Sequence, residues 1–573
     1  MLNIAATERL KNIASELVQI QKETSTQEII PNKFNINSNG ALFVIKSFTK
    51  DKDTGEQVPN YEYVAKNFPR IEGKYRDIET DALFYVISFN DGDKRINKRV
   101  KATTLTRKAE LLELSTYGLD VSDNNYKNIM LFLSLMQAVN EYIETPASTR
   151  IGHIKNNFII PNSKDNDTKL FIEDASYQKM ADAFKTKGTL ESYQKNVFNL
   201  IRDEPTAVVT LYGALGSVLL KELDIEPFIL DLSGKTSTGK TTMLKLVASC
   251  WGTGELVNSW NSTQVAIERK ASFYNSFPLL LDDTRAGNPH VIKNVIYSHS
   301  VGHDKGRGNT TSINKENSWQ SILISTGENA ISEYSGGRGG AGARAITLED
   351  EPFKEPRFNE LYTAISKNYG TLGIAFYKQF TDNKQLYIDH YQDICKKYHS
   401  KSNNNEVLER LSRAFALLEL TGSILNDIKG FEHDYSEYVE QAYKSMLEQN
   451  KAIDKPKELL ISVLEYMDSH RDNILYAGEK FGRGEIVGIY KDNFLAVMPQ
   501  TLKTLLEIEL QKTLKEWQSR GYLVTDSNRT VKQVKQSGRR YTAYAIRNST
   551  INELGFDFKE IKNDYQDSTT STT

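Results

Sequence analysis

The sequence predicts an α/β nucleotide-binding core, preceded by an α+β domain and followed by a helical segment and a winged helix. Three observations carry this. The apolar run Phe228-Ile-Leu-Asp-Leu232 leads directly into Gly234-Lys-Thr-Ser-Thr-Gly-Lys-Thr241 and then into the helical Thr242-Met-Leu-Lys-Leu-Val-Ala248. Strand-like and helix-like patterns alternate over residues 193–350, as an α/β domain requires. Near the end, Leu502, Leu506, Leu510, Leu514 and Trp517 fall on one helical face, and Gly521 stops that helix. Tyr522-Leu-Val-Thr525 and the stretch 541–546 then read as strands around a basic turn.

A length of 573 residues suits three or four domains. The first, residues 1–162, opens on an amphipathic helix with charges at Glu8, Arg9, Lys11 and Glu16, which lacks the apolar core of a signal peptide. No run of eighteen apolar residues occurs, so a cytoplasmic protein without membrane contact is expected. Short β-like runs with turn signals fill residues 33–105, and helical periodicity follows over 105–142, broken near Gly118. The polar string Asn162-Ser-Lys-Asp-Asn-Asp-Thr168 reads as a linker or exposed loop. The core then spans 163–356, including a lead-in segment. A mostly helical region covers 357–454, interrupted by Ser400-Lys-Ser-Asn-Asn-Asn405. Lys455-Pro456 opens the winged-helix domain, 455–550, and 551–573 reads as a disordered tail.

Composition excludes more than it assigns. Hydrophobic residues at 39% and charged residues at 25% match an ordinary globular chain. The 72 basic and 74 acidic residues nearly cancel to −2, so nucleic-acid contact must come from local basic patches. Cys250 and Cys395 cannot build a disulfide framework. His299 and His303 are spaced H-x-x-x-H but lack the Glu and third ligand of a zinc helix, so no metal site is expected there.

The string 234–241 matches G-x-x-x-x-G-K-[ST] in the setting that gives the pattern meaning, between a strand and a helix. Gly234 and Gly239 let the backbone curl so that N–H groups of Lys235, Thr236, Ser237, Thr238 and their neighbours converge on phosphates. The following helix, through Thr242, presents its positive dipole end. Lys240 is expected on the β- and γ-phosphates and the Thr241 hydroxyl on Mg²⁺, making ATP and Mg²⁺ the expected ligands. Pro278-Leu-Leu-Leu-Asp-Asp283 is a strand ending in two carboxylates: Asp282 is assigned to Mg²⁺ and Asp283 to activation of water. Ser321-Ile-Leu-Ile-Ser-Thr-Gly-Glu-Asn329 offers Thr326, with Asn329 as the alternative, to sense the γ-phosphate or the attacking water. The glycine-rich loop from Gly336 carries Arg344 and Arg338, candidates for an arginine finger offered to a neighbouring subunit, Arg344 preferred.

Two basic regions are candidates for DNA. Lys305, Arg307 and Lys315 lie in a glycine-bearing hairpin suited to gripping a phosphate backbone. Toward the end, Lys512, Lys515, Arg520, Arg529, Lys532, Lys535, Arg539 and Arg540 face few acids in sequence, as the recognition helix and wing of a winged helix would.

The order of phosphate loop, Asp282-Asp283, basic hairpin, Ile322-Leu-Ile-Ser-Thr-Gly-Glu328 and glycine loop with Arg344 resembles the helicase-like proteins of phages and mobile elements. It is most similar to the replication initiator/helicases of staphylococcal chromosome cassettes and pathogenicity islands, which look like MCM-type AAA+ helicases. The resemblance covers residues 190–350, with looser likeness at Arg150-Ile-Gly-His-Ile-Lys-Asn-Asn-Phe158 and in the winged helix. It implies an α/β P-loop AAA+ ATPase core with an α+β N-terminal domain, a helical lid and a C-terminal winged helix. It further implies an ATP-dependent DNA helicase, 3′-to-5′ in polarity, forming a homo-oligomeric, hexameric ring around DNA and working with other replication proteins of its element. Arg413 would be a second sensor in the lid. Two departures stand out: Asp283 where many relatives have Glu, and Gly152-His153 where related chains have Gly-Trp. An ATP-switched origin-binding initiator or regulator without unwinding is the alternative, and a degenerate ATPase scaffold a third reading.

Overall fold

The computed structural model describes residues 28–161, 163, 168–304, 317–335, 344–354, 357–402, 405–449, 454–476, 479, 485–526 and 529–559. It is a mixed α/β protein built around a parallel sheet with many helices. Two compact units emerge. The first holds the described residues up to Tyr334 together with 348–392 and 417–440; the second holds those of 335–347, 393–416 and 441 onward.

The first unit opens with a small antiparallel sheet of β1 (Phe34–Ile36), β2 (Leu42–Lys50) and β3 (Gln57–Ala65). A second sheet begins with the antiparallel β4 (Arg70–Asp77), β5 (Leu83–Asp91) and β6 (Lys94–Lys101). It is extended in parallel by β7 (Glu144–Ser148) beside β4. Strand β5 is apolar without alternation because both faces are covered. Ile87 and Phe89 join the core of the helix Tyr126–Val139, whereas Phe84 packs with Ala147 and Phe171. The helical periodicity expected over 105–142 is split. Short turns end at Gly118, which takes the left-handed conformation (φ +97°) where a Cβ would strike Asp91, and the long helix starts only at Tyr126.

Beyond β7, β8 (Gly152–Ile154) and β9 (Asn157–Ile159) form a hairpin, and β10 (Lys169–Leu170) returns to pair with β7. Strand pairing therefore crosses the expected boundary at residue 162. The hairpin is tied to the following core: His153 N donates to Ser276 Oγ at 2.9 Å, and its Nε2 meets Val218 O at 2.8 Å.

That core is a sheet in which β11 (Phe228–Leu232), β12 (Val257–Ser259), β13 (Leu279–Asp282) and β14 (Ile322–Thr326) run parallel in the spatial order β12-β13-β14-β11. Parallel strands need crossovers, supplied here by the helices Lys240–Ala248, Gln264–Tyr274 and Pro289–Val301. Helices then dominate from Phe358–Lys367 through Thr371–Asp382, Lys384–Lys401 and Glu406–Asn426 to Tyr435–Gln449. None among the described residues is long and apolar enough to cross a membrane.

The second unit takes β15 (Ala345–Leu348) as far as Thr347, and within that unit buried residues from Leu460 to Phe558 share a core. The helix Lys455–Ser469 precedes β16 (Ile474–Leu475), β17 (Gly488–Lys491) and β18 (Phe494–Val497), three strands the sequence pattern did not announce. The single helix expected through Leu502 and Trp517 is two, Pro499–Leu506 and Pro-free Leu510–Ser519, because Glu507 takes φ +45°. Their apolar residues still share one core: Leu502, Leu506, Leu514 and Trp517 are buried together. The expected strand at 522–525 is only a bridge between Leu523 and Ile546. A hairpin of β19 (Lys532–Gln536) and β20 (Arg539–Arg547) follows, turning on Ser537 and Gly538, both with positive φ. The tail expected from 551 is packed at its start, since Ile551 and Phe558 are buried in the same core.

Candidate functional site

Strands β11, β13 and β14 end at one level. Leu232 pairs with Thr326, and Leu281 with Ser325, so the loop 233–239, Asp282 and Thr326 emerge along a shared carboxyl edge. Such an edge is where open α/β sheets hold ligands. β11 is fully buried, and the chain leaves it through Gly234 at φ +135°, a conformation open to glycine. Ser237 (φ +65°) and Gly239 (φ +89°) complete the curl, and the helix starts at Lys240. Gly234 N donates to Glu328 O at 3.1 Å and Ser233 N to Leu348 O at 3.2 Å, anchoring the loop.

A cavity of about 490 Å³ opens over this edge, lined by Thr236, Ser237, Gly239, Lys240, Thr241 and Thr242 from the loop and helix, and by Asp282, Asp283 and Thr326 from the neighbouring strands. Lys240 Nζ donates to Gly234 O at 2.8 Å and Lys235 O at 2.5 Å. Partial burial lowers its pKa, opposed by the surrounding carboxylates, Glu328 first. Thr241 Oγ1 donates to Asp282 Oδ2 at 3.0 Å, and Thr326 Oγ1 to Asp282 Oδ1 at 2.6 Å. Asp282 is thus the point where the loop helix and strand β14 meet. A hydroxyl and a carboxylate held together are hard oxygen donors of the kind Mg²⁺ takes, so the residues fit the ion.

Asp283 stands differently. The strand stops at Asp282, and Asp283 takes φ +58°, which lets both carboxylates line one cavity despite strand alternation. Its N–H donates to Thr326 Oγ1 at 3.1 Å, and its Oδ1 accepts from Arg285 N at 3.1 Å, capping the turn Thr284–Ala286.

Other expected residues are placed as follows. Asn329 is exposed and is not among the residues lining the cavity. Arg344 belongs to the second unit, where its Nε is buried without a hydrogen-bond partner. Lys235 is exposed on the loop and Thr238 half-buried; Thr238 Oγ1 donates back to Lys235 O. Lys305, Arg307, Lys315 and Arg338 lie outside the described residues. Arg413 sits on the helix Glu406–Asn426 in the second unit. His299 is buried, with Nε2 against Ser321 O at 3.0 Å, and burial lowers its pKa to about 4. In the C-terminal body, Arg529, Lys535, Arg539 and Arg540 are exposed. Two cations there are engaged: Lys532 by Asp526, and Arg520 by Asp454 and Glu516.

Three cavity residues escaped sequence reasoning. Arg285 and Glu328 pair across it at 2.6 Å; Arg285 lies two residues beyond Asp283, and Glu328 lies within the stretch 321–329, where Thr326 and Asn329 alone drew a role. Phe358, which begins a helix far along the chain, lines the cavity and lies against Gly239, where an added Cβ would be 2.6 Å from its ring. One turn on, Tyr362 Oη meets Thr242 Oγ1 at 2.8 Å. No sequence signal joins Phe358 to the loop.

A domain of unknown function, DUF927, matches residues 34–319, a single stretch running from β1 into the parallel-sheet core. No curated protein matches in sequence. Among solved structures, one titled "SCCmec type IV Cch - active helicase" superimposes with a TM-score of 0.68 at 17% identity, covering 93% of this chain and 100% of that one. A structure of the apo NrS-1 C-terminal region covers 83% of this chain and 96% of its own at 11% identity, but its TM-score of 0.29 carries no argument. The likeness to the Cch structure is one of fold.

Proposed function

We propose that the chain is an ATP-driven DNA helicase with an AAA+ type core and a C-terminal winged helix, acting as a ring in replication of a mobile element. The observation that carries this is Asp282 bonded at once to the phosphate-loop Thr241 and to Thr326 of the neighbouring strand. The fold it shares with a structure described as an active helicase supports the same reading.

In this reading the loop N–H groups and the helix dipole bind the phosphates of ATP, and Lys240 exchanges its two loop carbonyl acceptors for phosphate oxygens. Thr241 and Asp282 would hold Mg²⁺, which supplies neutralising charge for the phosphoryl group when bound. Thr326, fixed by Asp282, orients water at the same edge. Asp283 accepts the water's proton, and Arg344 acts from a neighbouring subunit on the charge that develops. One observation favours the second reading, an ATP-switched origin-binding protein without unwinding: Asp283 already serves as a turn cap.

The deciding measurement is strand displacement on forked DNA alongside DNA-stimulated ATP hydrolysis. Lys240→Ala is expected to abolish both, by about 100-fold or more, the scale on which losing one charge-stabilising contact acts. Unwinding that survives Lys240→Ala excludes the reading; tight DNA binding by the wild type with no displacement at any ATP concentration favours the switch.

A further inference from the structure

The segment Lys94–Lys108 contains seven Lys or Arg and no Asp or Glu, a denser basic run than its surroundings suggest. Most of it is strand β6, the edge of its sheet. Lysines on an edge strand commonly guard against further pairing, and that is the plain alternative. Three features go beyond guarding. The strand borders a groove of about 1460 Å³, three times the volume of the cavity over the phosphate loop. The groove also has an aromatic component, Tyr75, Tyr117 and Phe171. Finally, cations are set over those rings: Lys98 Nζ lies 3.1 Å from the centroid of Tyr117, and Arg99 5.9 Å from that of Phe171.

Charge accounting favours an anion. Glutamates also line the groove, but Glu72 is taken by Arg95 and Ser88, Glu110 by Thr103, and Glu173 faces Lys101 at 3.9 Å. Against these, Lys98, Arg99 and Lys169 form no ion pair among the described residues, Arg99 donating instead to Gln178 at 2.9 Å. Only Glu113 is left to oppose them. Tyr117 is nearly half exposed, at 47%, so its ring is accessible from the groove.

We propose that this groove binds a single strand of nucleic acid, with phosphates on Lys98, Arg99 and Lys169 and a base on Tyr117. A cationic track beside an exposed ring is the combination that holds single strands without reading sequence. A duplex keeps its bases stacked inward and has no use for the ring. The site is independent of the nucleotide cavity and does not rest on its assignment.

The test uses the full chain without nucleotide and an oligothymidine of about thirty nucleotides carrying 4-thiothymidine. Irradiation of the wild type is expected to crosslink the peptide 94–117. In equilibrium titrations, Lys98→Ala/Arg99→Ala/Lys169→Ala is expected to lower the slope of log affinity against log salt by about 2, from about 0.7 per phosphate contact on a single strand. Tyr117→Ala weakens binding at every salt concentration, and Tyr117→Phe restores it. Crosslinks confined to other peptides overturn the proposal, as does an unchanged slope. An equal loss on blunt duplex, or a loss of polyglutamate binding in place of oligothymidine binding, also overturns it by assigning the groove to a different partner.

Discussion

The carboxyl edge of the parallel sheet and the C-terminal hairpin both carry charged residues read from sequence motifs, yet they hold them in opposite ways. At the sheet edge the central charged and hydroxyl groups are already engaged by one another: Lys240 with loop carbonyls, Asp282 with two threonines, Arg285 with Glu328. At the hairpin, Lys535 and Arg540 stand directly opposite each other across β19 and β20, with Arg539 beside them, all exposed. Like charges so placed destabilise a hairpin. The turn end compensates: Gln536, the last residue of β19, is buried and donates to Tyr476 O and Glu479 O, so the tip is held in place beside the exposed cations. A preorganised site holds its geometry before the ligand arrives; an unpaired cationic tip gains most of its stabilisation from the ligand.

The largest effect that can break this contrast is at the tip. In the reading proposed here, replacing Lys535, Arg539 and Arg540 together by Ala removes three phosphate contacts. It should reduce the salt slope for duplex DNA by about 2.7, from roughly 0.9 per contact. Fluorescence anisotropy titrations over a range of salt concentrations measure this, and melting temperature should hold or rise as the like-charge opposition is relieved. If the melting temperature falls sharply while the salt slope holds, the cations are structural and the contrast fails.

A smaller effect sharpens the other side. Phe358 against Gly239 offers a ring at the mouth of the cavity, suited to a nucleobase. Phe358→Ala should raise KM for ATP about tenfold, on the order of 1.4 kcal/mol, within the range of base stacking on an aromatic ring. The inhibition constant of inorganic tripolyphosphate, which has no base, should stay constant. An equal rise for both would mean that the ring supports the loop and makes no contact with the base.

What was legible in the sequence divides along the same physical line. The loop, Asp282 and Thr326 could be placed because each ends a buried strand, and parallel strands read as unbroken apolar runs bounded by polar ends. The fate of Asp283 was less visible, since a positive φ at a non-glycine residue leaves no mark in the pattern. The same blindness hid the break at Glu507, where the apolar spacing from Leu502 to Trp517 continues although the helix does not. Phe358 was out of reach altogether, being brought to Gly239 by the path of the chain. Charge misled in the C-terminal body: Arg520 looked free until Asp454, far off in sequence, came beside it. The run at Lys94–Lys108 is plain in the sequence, but the rings that give it a groove, Tyr75, Tyr117 and Phe171, come from distant parts of the chain.

The smallest expected effect concerns Asp231, in the strand that delivers the phosphate loop. It is fully buried, its Oδ2 accepts from Ile331 N at 2.8 Å, and its Oδ1 has no hydrogen-bond partner. Burial raises its pKa to about 7, against an ordinary value near 4. The sign follows from proton linkage: between those values the folded chain holds a proton that the unfolded chain has released. Stability from this group is therefore full below about pH 4, falls as pH rises, and is lost above about pH 7. Asp231→Asn removes the titration and keeps an acceptor for Ile331 N. Plotted against pH, the melting temperature of the wild type should drop relative to the variant across that window and run parallel to it outside. Parallel curves throughout would mean that folding does not shift Asp231 from its ordinary value, and the strand leading into the loop would then carry a buried charge at every pH above about 4.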